Sequence, residues 1–171
     1  MDERWVYGIV ALFVVFGLWM YTVNTVHIRR MALRKERLQT RVKMVCRLAA
    51  RQLPPDVTPD SSKSPPAPSL VRVLQLVEQL SKGEEYLFVL DAQGRTWADG
   101  SQAGSQVRPL PVPSMSGDNT PLTKILAATA QGGGFVTYDW KHPKSGDIKP
   151  KLSYVAPVAN TPFLVGSGTY A

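Results

Sequence analysis

The segment GGGFVTYDWKHPKSGDIKPKLSYV, residues 132–155, decides the fold of the C-terminal part of this chain. Its three glycines follow a helical pattern, so they are predicted to end a helix. Two runs rich in aromatic and β-branched residues then enclose a loop of Pro, Gly and Lys, which is the pattern of a β-hairpin. Side chains alternate between the faces of a strand, so Tyr138 and Trp140 share one face, and Lys151 and Tyr154 lie on opposite faces of the next strand.

The residues around this hairpin predict two helices and three further strands. The helices are expected over residues 70–81 and 121–131, where apolar residues recur at helical spacing. The strands are expected over residues 86–90, 95–98, 135–140, 148–158 and 162–170. The order helix, two strands, helix, three strands is typical of an α+β domain with an antiparallel sheet of about five strands.

Two different segments precede this domain. Residues 54–69, PPDVTPDSSKSPPAPS, include six prolines and are predicted to form a semi-rigid extended linker. Residues 29–53 are predicted to form a basic amphipathic helix. Its apolar stripe comprises Leu38, Val42, Val45 and Ala49.

An apolar run near the N terminus, residues 5–28, contains no Asp, Glu, Lys or Arg. As a helix it would measure roughly 36 Å, which is enough to cross a hydrocarbon core of about 30 Å. Aromatic residues lie near both of its ends, as they do at membrane interfaces. Residues 1–28 are therefore predicted to be an uncleaved, single-pass membrane anchor.

The positive charge is concentrated beside this anchor. The chain carries a net charge of +7, and residues 29–51 hold nine Lys or Arg against one acidic residue. The remainder is close to neutral, which argues against nucleic-acid binding. Four arginines are predicted to contact anionic lipid headgroups, each contributing about 1 kcal/mol near the surface: Arg29, Arg30, Arg34 and Arg37.

The sequence offers little support for catalysis. Its two histidines, His27 and His142, are not at motif spacing with acidic residues, and Cys46 is the single cysteine. Motifs of serine hydrolases, nucleotide-binding loops and zinc proteases do not occur. We therefore predict a protein that is not an enzyme, with no catalytic residue, metal site or cofactor, and we expect Cys46 to be a small core residue.

Four segments together resemble single Cache domains, the PAS-like extracytoplasmic modules of bacterial chemoreceptors and sensor kinases. The segments are FVLDAQGRTWADG (88–100), GGGFVTYDW (132–140), PKLSYVAPV (150–158) and VGSGTYA (165–171). The resemblance covers residues 29–171, and residues 70–171 are assigned to the Cache-like domain itself. Residues 101–116 are shorter and richer in Pro and Gly than the ligand-covering segment usual in this family.

The resemblance implies a pocket on the sheet for a small carboxylate or an amino acid. Its wall is expected to include Tyr138, Trp140, Lys151 and Tyr154. A lysine neutralises a carboxylate as a point charge, and tyrosine hydroxyls supply directional hydrogen bonds. The resemblance also implies a protein of the bacterial inner membrane with its domain in the periplasm.

The charge distribution points to the opposite orientation. Eight Lys or Arg follow the apolar run within residues 29–47, against Arg4 alone before it. The positive-inside rule then predicts a cytoplasmic C-terminal domain. We favour the periplasmic orientation, because family receptors tolerate basic residues in the helix after the first span.

Two functional hypotheses follow. In the first, the chain is a membrane-anchored Cache module that binds a small ligand or docks onto a membrane partner, and the absence of an output domain before Ala171 makes a partner protein or a homodimer an expectation. In the second, it is an accessory subunit that stabilises a larger integral-membrane complex, such as a respiratory or photosynthetic one, with no ligand. Fold resemblance does not decide between them.

Overall fold

A computed structural model describes residues 3–54, 68–81, 85–100 and 120–170, with side chains from Leu12 onward. The helices are α1 (Glu3–Gln52), α2 (Pro68–Leu80) and α3 (Pro121–Ala130). The strands are β1 (Tyr86–Asp91), β2 (Thr96–Asp99), β3 (Gly134–Lys141), β4 (Ile148–Pro157) and β5 (Phe163–Tyr170). The predicted α+β fold with five strands and a long N-terminal helix is confirmed. Most of the predicted linker (55–67) and the segment 101–116 lie outside the described residues.

The five strands form one antiparallel sheet in the order β2-β1-β5-β4-β3. The predicted hairpin of β3 and β4 is present, with Tyr138 opposite Lys151 in the register. The last strand inserts between β1 and β4 and pairs with both along its length. Residues distant in sequence therefore meet at the centre of the sheet.

Each face of the sheet carries its own apolar core. One core packs α1 and α2 against alternate strand residues, among them Leu87, Val89 and Tyr154. The other core includes Ile125 of α3 and the intervening strand residues, among them Tyr86, Phe88 and Tyr138. The all-apolar strand β1 is buried on both faces for this reason, as its sequence predicts.

The chain divides into two compact units, Met1–Arg37 and Leu38–Ala171. In the second unit, the four residues of the predicted apolar stripe of α1 are buried in the first core, as is Cys46. Burial raises the pKa of the Cys46 thiol to about 11. Cys46 is therefore the small core residue that the sequence predicts.

In the first unit, large apolar side chains between Leu12 and Ile28 are exposed, with Phe13 72% accessible. Among the residues whose side chains are described, no helix is long and apolar enough to cross a membrane. The start of the predicted span, residues 5–11, lies outside that set.

Both ends of α3 follow from local chemistry. The Thr120 hydroxyl accepts a hydrogen bond from the Thr123 N–H, and Pro121 occupies the first turn. At the other end, Gly132 and Gly133 have φ of +87° and +114°, the left-handed region that suits glycine. The predicted glycine helix stop is confirmed.

The turn between β1 and β2 is organised by the fully buried Asp91. Its carboxylate accepts hydrogen bonds from the backbone N–H groups of Gln93 and Arg95, at 3.0 and 2.9 Å. It also accepts from Arg95 Nε at 2.6 Å and from Trp97 Nε1 at 2.8 Å. One side chain thus holds the turn and orients the buried Trp97 of β2.

Candidate ligand-binding site

A pocket opens on the face of the sheet that carries α3. Its apolar and aromatic lining comprises Tyr86, Phe88, Leu90, Pro121, Leu122, Ile125, Tyr138 and Trp140. Its polar and charged lining comprises Thr96, Asp99 and Lys151. The cavity measures ≈ 30 Å³, which accommodates one or two water-sized groups and is far below the 300 Å³ or more of a pocket for a drug-sized ligand.

Lys151 is the central charged group of this pocket and is 2% exposed. Five aromatic rings surround its ammonium nitrogen, with centroids 4.0–5.9 Å from Nζ: Tyr86, Phe88, Tyr138, Trp140 and Tyr170. The negative ring faces attract a cation, by about 2 kcal/mol per pair where water is excluded. The rings therefore stabilise the ammonium in part, but they provide no anion.

A directed hydrogen-bond chain starts at the Lys151 amine and continues through two tyrosine hydroxyls. The Tyr170 hydroxyl donates to the Lys141 carbonyl oxygen at 2.9 Å, so its oxygen is free to accept from Tyr86, 3.2 Å away. Tyr86 then accepts from Lys151 Nζ at 2.7 Å. Each hydroxyl has one proton to donate, so the chain runs from Lys151 through Tyr86 and Tyr170 to the carbonyl. Lys151 is therefore a donor here.

Burial dominates the electrostatics of the pocket. It lowers the pKa of Lys151 from 10.5 to about 7, and the negative charge of Asp99 partly opposes that shift. Burial also raises the pKa of Tyr86, Tyr138 and Tyr170, so their hydroxyls stay neutral at physiological pH. Lys151 is consequently the pocket cation, and its charge is sensitive to its surroundings.

Two glycines of β5 provide the room for this arrangement. A Cβ atom at Gly168 would overlap Lys151 Cε and Ser153 Oγ, and a Cβ atom at Gly166 would overlap the ring of Phe88. Larger residues at these positions would lift Lys151 and Phe88 away from the sheet. The alternating glycines of VGSGTY are therefore a requirement of the pocket.

We expect a Gly168→Ala variant to displace Lys151 and to lower the free energy of unfolding by about 1–3 kcal/mol, as overpacking does in a filled core. Chemical denaturation measures this change. Gly134→Ala is the matched control in a strand, because its Cβ would meet only Ala128 Cβ at an ordinary 3.5 Å. Equal stabilities of the two variants would contradict the crowding argument.

The structure brings together three of the four residues predicted for the pocket wall. Tyr138, Trp140 and Lys151 line the pocket, whereas Tyr154 lies on the opposite face and packs in the core with α1. The prediction that Tyr154 is part of the pocket wall is therefore wrong, and strand geometry gives the reason. Residues 151 and 154 differ by an odd number along β4, so their side chains point to opposite faces.

The sequence interpretation missed eight of the residues that line the pocket, among them Tyr86, Phe88 and Asp99. It also missed Tyr170, whose ring lies near Lys151 Nζ. An all-apolar run shows no alternation, so it does not reveal which residues of β1 face the pocket. The glycines at 166 and 168 were the available signal, since they mark close approach of a neighbouring strand.

The other predicted contacts and sites have the following positions. Arg29, Arg30, Arg34 and Arg37 are exposed on α1, and their contact with lipid headgroups stays a prediction. Farther along α1, Arg41 donates hydrogen bonds to the carbonyl oxygens of Leu80 and Glu85. His142 is buried against the Tyr170 ring and is bonded to Ser145. Within the described residues, no three His, Cys, Asp or Glu side chains cluster as metal ligands.

Comparison with protein families then identifies the domain. The family model described as single Cache domain 2 matches residues 33–171. The chain belongs to this family. Cache domains are non-catalytic sensory modules of chemoreceptors and sensor kinases, so the predicted resemblance is confirmed. The match begins within α1, which makes the second half of that helix part of the Cache domain.

A curated relative is the sensor histidine kinase MctS of Rhizobium johnstonii, 29% identical over 101 residues. These residues are 58% of this chain and 22% of the kinase, so the chain spans about a fifth of this relative.

Three solved structures share the fold. A Cache chemosensory domain studied for carboxylic acid recognition has a TM-score of 0.61 at 15% identity, covering 85% of this chain and 98% of its own. The periplasmic sensor domain of a chemotaxis protein has a TM-score of 0.62 at 22% identity, with coverages of 82% and 97%. A methyl-accepting chemotaxis protein from Vibrio parahaemolyticus has a TM-score of 0.59 at 16% identity, with coverages of 82% and 90%. At these identities the similarity concerns the fold.

Proposed function

We propose that this Cache domain binds a small carboxylate, with the ligand's oxygens on the ammonium group of Lys151. The observation that carries the proposal is a buried cation with no buried counterion. Among the described residues, none places a carboxylate within ion-pairing distance of Lys151 Nζ. A buried charge is costly unless it is paired, and the charge of Asp99, which lines the same pocket, offsets the burial of Lys151 only in part. A bound carboxylate would complete the pairing.

The remaining lining restricts the ligand's size and shape. The space beside Lys151 is small, and its walls on α3 are the apolar side chains of Leu122 and Ile125. Since the cavity holds only one or two water-sized groups, the favoured carboxylates are those with one or two carbons. Asp99 and Thr96 line the same pocket and are suited to a hydroxyl or amino substituent on such a carboxylate. A small carboxylate or a small amino acid is therefore the proposed ligand class.

The experiment is a thermal-shift screen of the purified full chain against one- to four-carbon carboxylates and small amino acids at pH 6. A ligand at 100 times its Kd adds about 2.7 kcal/mol to the stability of the folded state, which raises Tm by several degrees. Methylamine and propanol of similar size are the controls, because they lack the carboxylate. A screen in which no carboxylate raises Tm would overturn the proposal.

We also propose that residues 5–28 attach the chain to the bacterial inner membrane with the Cache domain in the periplasm. The supporting observations are the uncharged run in the sequence and the exposed apolar side chains of its described part, although that part alone falls short of a membrane span. Exposed arginines follow directly and are suited to anionic headgroups.

A reporter fused after Ala171 tests the orientation. A reporter that is active only outside the cytoplasm is expected to give signal, and a cytoplasmic signal would contradict the proposal in favour of the positive-inside count. Chromatography of the chain solubilised from native membranes tests the alternative of an accessory subunit. A stoichiometric complex, together with no carboxylate response, would favour that alternative.

A further inference from the structure

We propose that the pocket binds a carboxylate together with a proton taken up by Lys151, so that acid and carboxylate are sensed jointly. This inference rests on the proposed carboxylate site and adds a second ligand, the proton, to it. It is carried by the way in which the amine is enclosed.

Among the described residues, the enclosure provides no anionic hydrogen-bond acceptor for the lysine nitrogen. The nitrogen donates a hydrogen bond to the Tyr86 oxygen at 2.7 Å. The hydrogen-bond chain beyond Tyr86 ends at the carbonyl oxygen of Lys141. Every acceptor along this chain is neutral. A neutral amine and an ammonium can both donate this hydrogen bond to Tyr86. The hydrogen bond therefore does not by itself keep the third proton on the nitrogen.

Within the described part of the chain, the groups facing Lys151 come from four strands and α3. β1, β3 and β5 contribute the hydroxyls of Tyr86, Tyr138 and Tyr170, which are neutral because burial raises their pKa. β2 contributes Asp99, whose charge favours protonation of Lys151 but only partly offsets its burial. α3 contributes apolar side chains. The pKa of about 7 for Lys151 agrees with this incomplete compensation.

Binding then follows a balanced equilibrium. Above pH 7 the empty site holds a neutral amine, and it takes up one proton and one carboxylate to give an ammonium paired with the anion. No covalent bond to carbon forms or breaks. The net charge entering the pocket is zero, so the process is thermodynamically the same as transfer of the undissociated acid from water. Below pH 7 the proton is already present, and the carboxylate binds alone.

The expected consequence is a break in affinity near pH 7. Below it, the Kd is constant, because carboxylates of this kind stay ionised down to about pH 5. Above it, linkage requires the Kd to rise toward tenfold per pH unit until the pKa of the complex is reached. The Kd at pH 8 is thus expected to be about tenfold higher than at pH 6.

Calorimetric titration of the full chain with sodium acetate and sodium propionate, in buffers of different ionisation enthalpy, measures the proton directly. We expect an uptake of about 0.9 protons per carboxylate at pH 8 and about 0.1 at pH 6. Binding with no proton uptake at pH 8 would overturn this inference and leave the carboxylate site intact. An absence of binding at either pH would overturn the carboxylate site as well.

Two further measurements separate Lys151 from other groups. Asp99→Asn removes the charge that favours protonation, so the break in affinity is expected below pH 7.

NMR titration of the wild-type chain labelled with ¹³C in lysine requires no variant to fold. One lysine Cε is expected to titrate near pH 7, apart from the other lysines near 10.4. Titration of every lysine above pH 9 would overturn the inference.

Discussion

A Lys151→Met variant is expected to lose carboxylate binding, with the Kd rising at least about 100-fold. Methionine fills a similar volume among the five aromatic rings but carries no charge, so the ligand's carboxylate would be buried without a partner. Truncating one member of a buried, hydrogen-bonded charge pair costs about 2–5 kcal/mol. Calorimetry at pH 6 with the best carboxylate of the thermal-shift screen measures the loss.

Lys149→Met is the matched control. Lys149 lies two residues earlier in the same strand, but its side chain is 45% exposed and pairs loosely with Asp147 at 4.0 Å. Surface pairs of this kind contribute about 0–1 kcal/mol. We expect its carboxylate affinity to match that of the wild type within about twofold. Equal losses in both variants would assign the effect to the general positive charge of the hairpin.

The same Lys151→Met variant is expected to unfold at a higher denaturant concentration than the wild type at pH 6. Between pH 7 and 10 the unfolded chain holds a proton on Lys151 that the folded chain has released, so wild-type stability rises with pH over this range. The cost of burying the ammonium is fully present below pH 7 and amounts to a few kcal/mol. Methionine removes it, and the difference between the two proteins is expected to shrink toward pH 10. A difference independent of pH would contradict this account.

An Asp91→Ala variant is expected to lose about 3–5 kcal/mol of folding free energy, because the change breaks a buried charge network. The backbone N–H groups of Gln93 and Arg95 and the indole N–H of Trp97 would lose their shared acceptor. Each buried donor left unsatisfied costs about 1–3 kcal/mol. Since domains are stable by about 5–15 kcal/mol, this is a large share of the total. Urea denaturation followed by tryptophan fluorescence measures it.

Asp139→Ala provides the comparison for this prediction. Asp139 also lies in a strand, but its side chain is exposed. Surface substitutions of this kind usually change stability by less than about 0.5 kcal/mol. Asp91→Asn is expected to fall between the two variants, because it keeps one acceptor oxygen and loses the charge. A loss below about 1 kcal/mol for Asp91→Ala would show that other groups hold the turn.

The elements of the Cache domain were predictable because each has a local cause. Pro121 and the glycines at 132 and 133 mark the ends of α3, and these depend on backbone conformation alone. The face shared by Tyr138 and Trp140 follows from the two-residue period of β3. The same period placed Tyr154 on the face opposite Lys151, so the assignment of Tyr154 to the pocket wall had only its residue type as support. The residue was of the right chemical type, but its position in β4 placed it on the other face.

The rest of the site depends on which strands become neighbours. Tyr86 reaches Lys151 because β5 inserts between β1 and β4, and the glycines at 166 and 168 let both side chains lie across it. Register between distant strands is a property of the assembled sheet. The role of Asp91 likewise depends on the assembled fold, because only the folded structure shows that its buried carboxylate accepts hydrogen bonds from four donors.

The sequence by itself determined the α+β fold class and the lysine-bearing hairpin, because periodicity, helix caps and turns act over a few residues. The Cache family was identified from the sequence by the resemblance of four segments. Tertiary structure alone decided that Tyr138, Trp140 and Lys151 of the segment 132–155 meet the rings of Tyr86, Phe88 and Tyr170 from other strands in one aromatic cage. It also set the proton affinity of Lys151. The charge of a lysine in water is independent of its neighbours in sequence. In a pocket, its charge depends on how far the surrounding strands exclude water and on the anions that they supply.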